Sequence, residues 1–158
     1  MPLKIGLLGF GTVGSSFAEV LAASGADAAI THVFNRNVAR KKDHPRATFV
    51  PANALWTERV EDVISAADVD VVIELMGGLD PAEGWLRTAL DAGKHVVTAN
   101  KQLIATRGAE LFALAASWMV VETLLIFRRT YFFRFMAGRI SRSTAISASK
   151  TFLRRTSP

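Results

Sequence analysis

Three glycines near the start of the chain have the spacing of a phosphate-binding loop. They are Gly9, Gly11 and Gly14, and they follow an apolar segment typical of a buried strand. In this pattern the first glycine permits a tight turn, the second lets the backbone approach a pyrophosphate, and the third allows close helix packing. The pyrophosphate would lie at the N-terminal end of a helix beginning near Thr12. The spacing therefore predicts a dinucleotide site, and a turn that merely tolerates glycine is the alternative.

The end of the second predicted strand indicates which dinucleotide would bind. An NAD-selective fold places an acid there to bind the ribose 2′-hydroxyl, but this chain has Arg36 between two asparagines. The guanidinium could pair with a 2′-phosphate, and the basic residues at 40–42 add positive charge. We therefore expect NADP to be the cofactor, with NAD also possible. A solvated basic loop is the alternative.

Two later segments place small and polar residues at the ends of predicted strands. Met76 and Gly77 follow one strand and would bring bare backbone to the crevice, while Thr98, Asn100 and Lys101 follow the next. Ligands of open parallel sheets bind beyond the carboxyl ends of the strands, so we expect these residues to contact the cofactor. Taken without context, a lysine in this position is more often an ordinary surface charge.

Alternating strands and helices would align these segments along one edge of a sheet. The apolar patterns predict strands at 4–8, 29–34, 47–50, 69–75, 95–97 and 118–127, and helices at 12–24, 57–67, 81–92 and 108–116. Such alternation is typical of the α/β class. We predict a Rossmann-like doubly wound parallel sheet, followed by an irregular basic C-terminal tail.

The composition divides the chain at about residue 117. Residues 1–117 hold 11 Lys or Arg and 13 Asp or Glu, whereas residues 118–158 hold 8 and 1, with half of the 14 aromatic residues. We therefore predict a nucleotide-binding domain at 1–117 and an atypical Arg- and aromatic-rich tail at 118–158. A truncated, frameshifted, fused or divergent ending would have this composition. Binding of nucleic acid or an anionic membrane by the tail is the alternative, although the tail lacks an RNA-binding motif.

Several classes of protein are disfavoured by composition. The chain has no cysteine, and its three histidines are scattered, so we predict no metal site. The apolar stretch 111–127 is slightly short for a membrane span and contains Glu122. The N-terminus lacks the features of a secretory signal. We expect a cytoplasmic protein whose partners include neither nucleic acid nor a membrane.

Four segments resemble the nucleotide-binding domain of homoserine dehydrogenases. They are the glycine loop at 9–14, the run at 70–78, the pair at 81–82, and above all the segment 93–101, which ends in Thr-Ala-Asn-Lys. Related Rossmann dehydrogenases share the glycine loop but not this ending. The resemblance covers about residues 3–117. It implies reversible hydride transfer between NAD(P)H and aspartate 4-semialdehyde, giving homoserine, a shared step of threonine and methionine biosynthesis.

The resemblance also implies roles for individual residues. Phe10, Thr12 and Val13 would lie at the cofactor phosphates and ribose, with Arg36 at the 2′-phosphate. Lys101 would be the catalytic residue, because hydride reaching an aldehyde carbon leaves an alkoxide that an ammonium can stabilise and protonate. The full predicted cofactor-binding set is Gly9, Phe10, Gly11, Thr12, Val13, Gly14, Arg36, Met76, Gly77, Thr98, Asn100 and Lys101.

The resemblance ends near residue 117. The family continues with a Glu-Ala-Ala-Val-Ala-Gly-Gly-Ile-Pro segment, then with a substrate and dimerisation domain that supplies a second catalytic lysine. This chain has Val-Glu-Thr-Leu-Leu-Ile-Phe at 121–127 instead. We expect a chain that binds cofactor but lacks the catalytic domain, with its oligomeric state open. The alternative is another small NAD(P)-binding Rossmann protein, either a different reductase or a sensor.

Overall fold

The computed structural model describes residues 1–117 and 124–126 of the chain. Its elements follow in the order β1 (Leu3–Leu8), α1 (Thr12–Ala23), β2 (Ala28–Phe34), α2 (Val38–Lys42), a 3-10 helix (Pro45–Phe49), β3 (Leu55–Thr57), α3 (Glu61–Ile64), β4 (Val71–Glu74), α4 (Ala82–Asp91), β5 (His95–Thr98), α5 (Lys101–Ser117) and β6 (Leu124–Ile126). The predicted strand at 118–127 lies outside the described residues apart from β6. The rest of the predicted tail does too.

The strands form one parallel sheet in the order β3-β2-β1-β4-β5-β6. The chain builds outward from β1 in one direction, then returns to pair β4 on the other side of β1. The strand order therefore reverses between β1 and β4, which is the switch point where such sheets bind ligands. The predicted fold class, a Rossmann-like parallel α/β sheet, is confirmed.

Two hydrophobic cores hold the helices on both faces of the sheet. Neighbouring residues of β4 alternate between them, because successive side chains of a strand point to opposite faces. Val72 belongs to the core shared with α3, α4 and α5, while Val71 and Ile73 belong to the core shared with α1. All four residues of β4 are buried. A strand covered on both faces is uniformly apolar, as the sequence is here until Glu74.

The predicted strand at 47–50 is wrong, because most of it forms the 3-10 helix. Pro45 stands in the first turn of that helix, where its missing N–H removes no internal hydrogen bond. The ring Nδ1 of His44 accepts from the Arg46 N–H at 3.1 Å and caps the turn. The edge strand of the sheet is β3, which begins later, at Leu55.

The predicted helix at 57–67 is wrong at its start and in its length. Thr57 ends β3, and its hydroxyl donates to the Asp62 carboxylate at 2.6 Å and accepts from the Arg59 N–H at 3.0 Å. These bonds form a turn ahead of α3, which has four residues. Hydroxyl groups compete with the helix for backbone partners in this way.

The predicted helix at 108–116 begins seven residues earlier in the structure, at Lys101. Glycine is a poor helix former, yet Gly108 lies inside α5 and is buried. A Cβ there would lie 3.4 Å from the Ile104 side chain, which is an ordinary contact distance. The helix therefore passes through this glycine without a packing requirement for it. Within the described ranges, no helix is long and apolar enough to cross a membrane.

Candidate functional site

The glycine loop joins β1 to α1, and its glycines are needed for different reasons. Gly9 has a φ of +102°, a conformation that favours glycine. A Cβ on Gly14 would collide with the Gly9 carbonyl oxygen, so α1 packs directly on the turn. A Cβ on Gly11 would meet nothing within 4 Å. Gly11 therefore leaves open space beside the backbone, which is where the fingerprint predicts a pyrophosphate.

The N-terminus of α1 is suited to an anion. The first N–H groups of a helix have no partner within the helix, and Gly11 at the N-cap supplies no side chain to bind them. The first turn contains no acidic residue, so the positive end of the helix dipole is not neutralised there. Thr12 and Val13 are exposed beside it. The residues present thus fit a dinucleotide phosphate.

Phe10 lies in the core. Its side chain is fully buried, edge-on to Trp56 with ring centroids 4.9 Å apart and edge-on to His44 at 6.1 Å. The ring holds the glycine loop against β3 and the segment preceding the 3-10 helix. The Phe10 side chain is therefore inaccessible to a ligand, which the glycine pattern alone does not reveal.

Arg36 lies in an exposed turn just after β2. The turn is fixed by other groups: the Asn35 N–H donates to the Thr57 carbonyl at 3.0 Å, and the Asn37 side chain accepts from the Arg40 N–H at 3.0 Å. The nearest carboxylate in these contacts, Glu58, accepts the Val38 N–H at 2.9 Å. Arg36 itself forms no hydrogen bond or ion pair with another described residue. Its guanidinium is available to a ligand.

Four strand ends form one row across the sheet. Phe34 of β2 pairs with Leu8 of β1, Leu8 pairs with Glu74 of β4, and Glu74 pairs with Thr98 of β5. The turn after β4 touches the glycine loop, since a Cβ on Gly9 would lie 2.7 Å from Met76 Cγ. The structure therefore brings all four predicted segments to one edge.

Glu74 is the residue at this edge that the sequence analysis did not select. It is fully buried, yet its carboxylate is well supplied with donors. One oxygen accepts the N–H groups of Met76 at 2.7 Å and Gly77 at 2.9 Å, and the other accepts the Thr98 hydroxyl at 2.5 Å. A buried carboxylate is costly unless such bonds compensate it. An acid at the end of an apolar strand was the available signal.

Thr98 and Asn100, both predicted to contact the cofactor, are bound within the protein. The Thr98 hydroxyl oxygen accepts the Asn100 N–H at 3.0 Å. The Asn100 amide accepts the Leu103 N–H at 3.0 Å, which caps α5, and donates to the Gly78 carbonyl. Both side chains are buried. They connect the β4 turn to the start of α5.

Lys101, the predicted catalytic residue, is the first residue of α5 and is exposed. In the part of the chain that the structure describes, its ammonium has no hydrogen-bond or ion-pair partner. A cation in the first turn of a helix is opposed by the helix dipole. Lys101 is therefore unfavourable for helix stability but well placed to act on a ligand.

Lys94 lies at the opposite edge, where β4 and β5 begin. Its ammonium donates to the carbonyls of Ala66 at 2.6 Å and Val69 at 2.9 Å. Desolvation lowers the pKa of Lys94, although the negative charges of Asp70 and Asp68 partly oppose the change. A shallow depression of about 380 Å³ lies at this edge and is lined in part by Lys94. It is distant from the carboxyl ends of the strands.

Comparisons with known proteins agree with this geometry. The family model for the homoserine dehydrogenase NAD-binding domain matches residues 9–122. The homoserine dehydrogenase of Synechocystis is 40% identical over 117 residues, covering 73% of this chain and 27% of that protein. That of Bacillus subtilis is 40% identical over 121 residues, covering 72% and 27%.

Solved structures give the same relationship. The crystal structure of a homoserine dehydrogenase from Thiobacillus denitrificans superposes with a TM-score of 0.67 at 33% identity, covering 80% of this chain and 29% of that one. The chain thus spans little more than a quarter of the length of these relatives, over the part that contains the glycine loop and the Lys101 segment.

Proposed function

The chain belongs to the homoserine dehydrogenase family, and from this premise we propose that residues 1–117 form a domain that binds NADP(H) across the switch point between β1 and β4. The observation that carries the proposal is the open space at Gly11, directly before the N-terminus of α1. Backbone N–H groups and the helix dipole would bind the pyrophosphate there.

The preference for NADP rests on the corner after β2. A 2′-phosphate in this corner would meet the guanidinium of Arg36, which has no partner among the described residues. The nearby Glu58 carboxylate accepts the Val38 N–H at the start of α2. Arginine recognises phosphate oxygens through two parallel N–H groups. NAD, which has a neutral hydroxyl at this position, would gain less from Arg36.

We further propose that the family reaction uses this site once a substrate domain completes it. The cofactor, when bound, would supply the hydride that reduces the aldehyde carbon of aspartate 4-semialdehyde, and the carbonyl oxygen would become an alkoxide. The Lys101 ammonium stabilises that oxygen and donates a proton to it, giving homoserine. In the reverse direction, the neutral amine of Lys101 accepts the proton of the homoserine hydroxyl. Groups that hold the amino acid would come from the substrate domain.

The experiment that tests cofactor binding is a titration of the full chain with NADPH, followed by nicotinamide fluorescence. Gly11→Val should abolish binding without unfolding the protein, because the new side chain fills only the open space. Gly84→Val is a matched control, because a Cβ at Gly84 would also meet nothing within 4 Å. Gly84 lies on α4, away from the glycine loop. Normal binding by Gly11→Val, or equal losses in both variants, would contradict the proposal.

A further inference from the structure

Glu74 is a buried titratable group that the proposed chemistry does not use. Its three hydrogen bonds reach two segments: the turn after β4, through Met76 and Gly77, and the end of β5, through Thr98. Core packing alone would favour an apolar residue in a strand covered on both faces. The carboxylate therefore needs an explanation that its burial does not give.

The turn that Glu74 holds contains two adjacent glycines in left-handed conformations. Gly77 and Gly78 have φ values of +77° and +83°, and a Cβ on Gly77 would meet nothing within 4 Å. Glycines with open surroundings have many accessible conformations. The N–H groups of Met76 and Gly77 both donate to one carboxylate oxygen of Glu74, and these two charge-assisted bonds favour a single conformation for the turn.

The same carboxylate is the start of a series of hydrogen bonds that reaches the first turn of α5, the helix that begins at Lys101. Thr98 donates to Glu74 and accepts from the Asn100 N–H, and the Asn100 side chain caps the helix that begins at Lys101. Asn100 also donates back to the carbonyl of Gly78. The β4 turn and the first turn of α5 are thus fixed relative to each other.

We infer that Glu74 is a positioning residue that preforms the nicotinamide half of the site, by holding the β4 turn and the Lys101 helix in one geometry. This inference rests on the proposed function. In a doubly wound sheet the adenosine half of a dinucleotide lies over the β1–β2 unit, and the other half lies over the strands beyond the switch point. All the bonds made by Glu74 are on that second side.

The test separates the two halves of the cofactor. The full chain and its variants are titrated with NADPH and with adenosine 2′,5′-bisphosphate, which contains only the adenosine half. Glu74→Gln keeps the shape of the side chain but removes its charge, so affinity for NADPH should fall about tenfold while affinity for the bisphosphate stays within about twofold. A general loss of structure would weaken both ligands equally.

Two further variants make the result decisive. Thr98→Val keeps the bonds from Glu74 to the turn but removes the bridge to β5, and should also weaken NADPH selectively. Glu83→Gln changes a partly exposed carboxylate on α4 that pairs with Arg87 and Arg107, and should leave both affinities unchanged. Equal losses for both ligands in Glu74→Gln, or no loss for either, would overturn the inference. Failure of the unmutated chain to bind either ligand would overturn the proposed function itself.

Discussion

The amino edge of the sheet, where the strands begin, and the carboxyl edge, where they end, use basic side chains in opposite ways. At the amino edge Lys94 is buried and its ammonium is bonded to two carbonyls, and the Asp70 carboxylate accepts the Lys4 N–H at 2.8 Å. At the carboxyl edge the Arg36 and Lys101 side chains are exposed and, among the described residues, unpaired. A basic residue that is bonded within its own chain stabilises the fold, while one left unpaired at a strand end is available to a ligand.

The first prediction concerns whether the exposed groups at the carboxyl edge are sufficient for homoserine oxidation. We expect the 158-residue polypeptide, tested by itself, to oxidise homoserine at least about 10⁴-fold more slowly than a complete relative, because acid–base catalysis and substrate orientation both contribute factors of that size. Among the described residues, the Lys101 ammonium has no partner and could act on a substrate oxygen. The Glu74 carboxylate is already hydrogen-bonded within the protein, so it is not available to bind the amino group of homoserine. The measurement is NADPH formation at saturating homoserine and NADP.

The control for that assay is this chain joined to a complete catalytic domain of the family, which should restore turnover. Robust turnover by the 158-residue chain, abolished by Lys101→Ala, would show that the carboxyl edge is complete without such a domain. Such a result would mean that the exposed groups at the carboxyl edge support turnover without a further domain.

The second effect contrasts the two lysines directly. Lys94→Met should lower the free energy of unfolding by about 3 kcal/mol, because it leaves two carbonyls without their charged donor. Lys101→Met removes an exposed and unpaired charge, so it should change stability by less than about 0.5 kcal/mol. Urea denaturation followed by circular dichroism measures both. Similar losses in the two variants would remove the distinction between the edges.

Most of the fold could be predicted from the sequence, because the apolar strands and the glycine loop have local signals. The starts of α3 and α5 could not, since they depend on side chains that bond main-chain N–H groups two and three residues ahead, as Thr57 and Asn100 do. A hydroxyl or amide can form such a bond in a turn as well as at the start of a helix. The outline of the candidate site could also be predicted, because the glycine loop and the residues at the strand ends have local sequence signals. Glu74 was missed because its hydrogen bond to Thr98 depends on the register of β4 with β5, which a single sequence does not specify.

A third prediction concerns the contribution of Arg36 to the preference for NADPH over NADH. Arg36→Ala should lower the affinity for NADPH about tenfold and leave that for NADH nearly unchanged, since only NADPH has the 2′-phosphate. Parallel fluorescence titrations with the two cofactors give the ratio. The exposed Arg59, which lies 3.7 Å from Asp62, supplies a control variant, Arg59→Ala, that should alter neither affinity. Equal affinities for the two cofactors in the unmutated chain would contradict the assigned preference.

The smallest effect concerns pH and the amino edge. Folding lowers the pKa of Lys94, so between that lowered pKa and the ordinary value of about 10.4 the unfolded chain binds more protons than the folded one. Stability therefore rises with pH across this window relative to Lys94→Met, and below it the two proteins have parallel pH profiles. Urea midpoints from pH 7 to 10.5 measure the difference. A fall across the window would contradict the sign.

The row of strand ends has a consequence for how this site can change over evolutionary time. The groups that fix the crevice floor are mostly main-chain atoms, namely the N–H groups of Met76, Gly77 and Leu103 and the carbonyl of Gly78. Main-chain atoms are the same whatever side chain follows, so these bonds do not by themselves determine the residue types at 76 and 103, which core packing restricts instead. Selection would act on the polar residues at 74, 98 and 100, and we expect these three to be retained or replaced together in descendants of this chain.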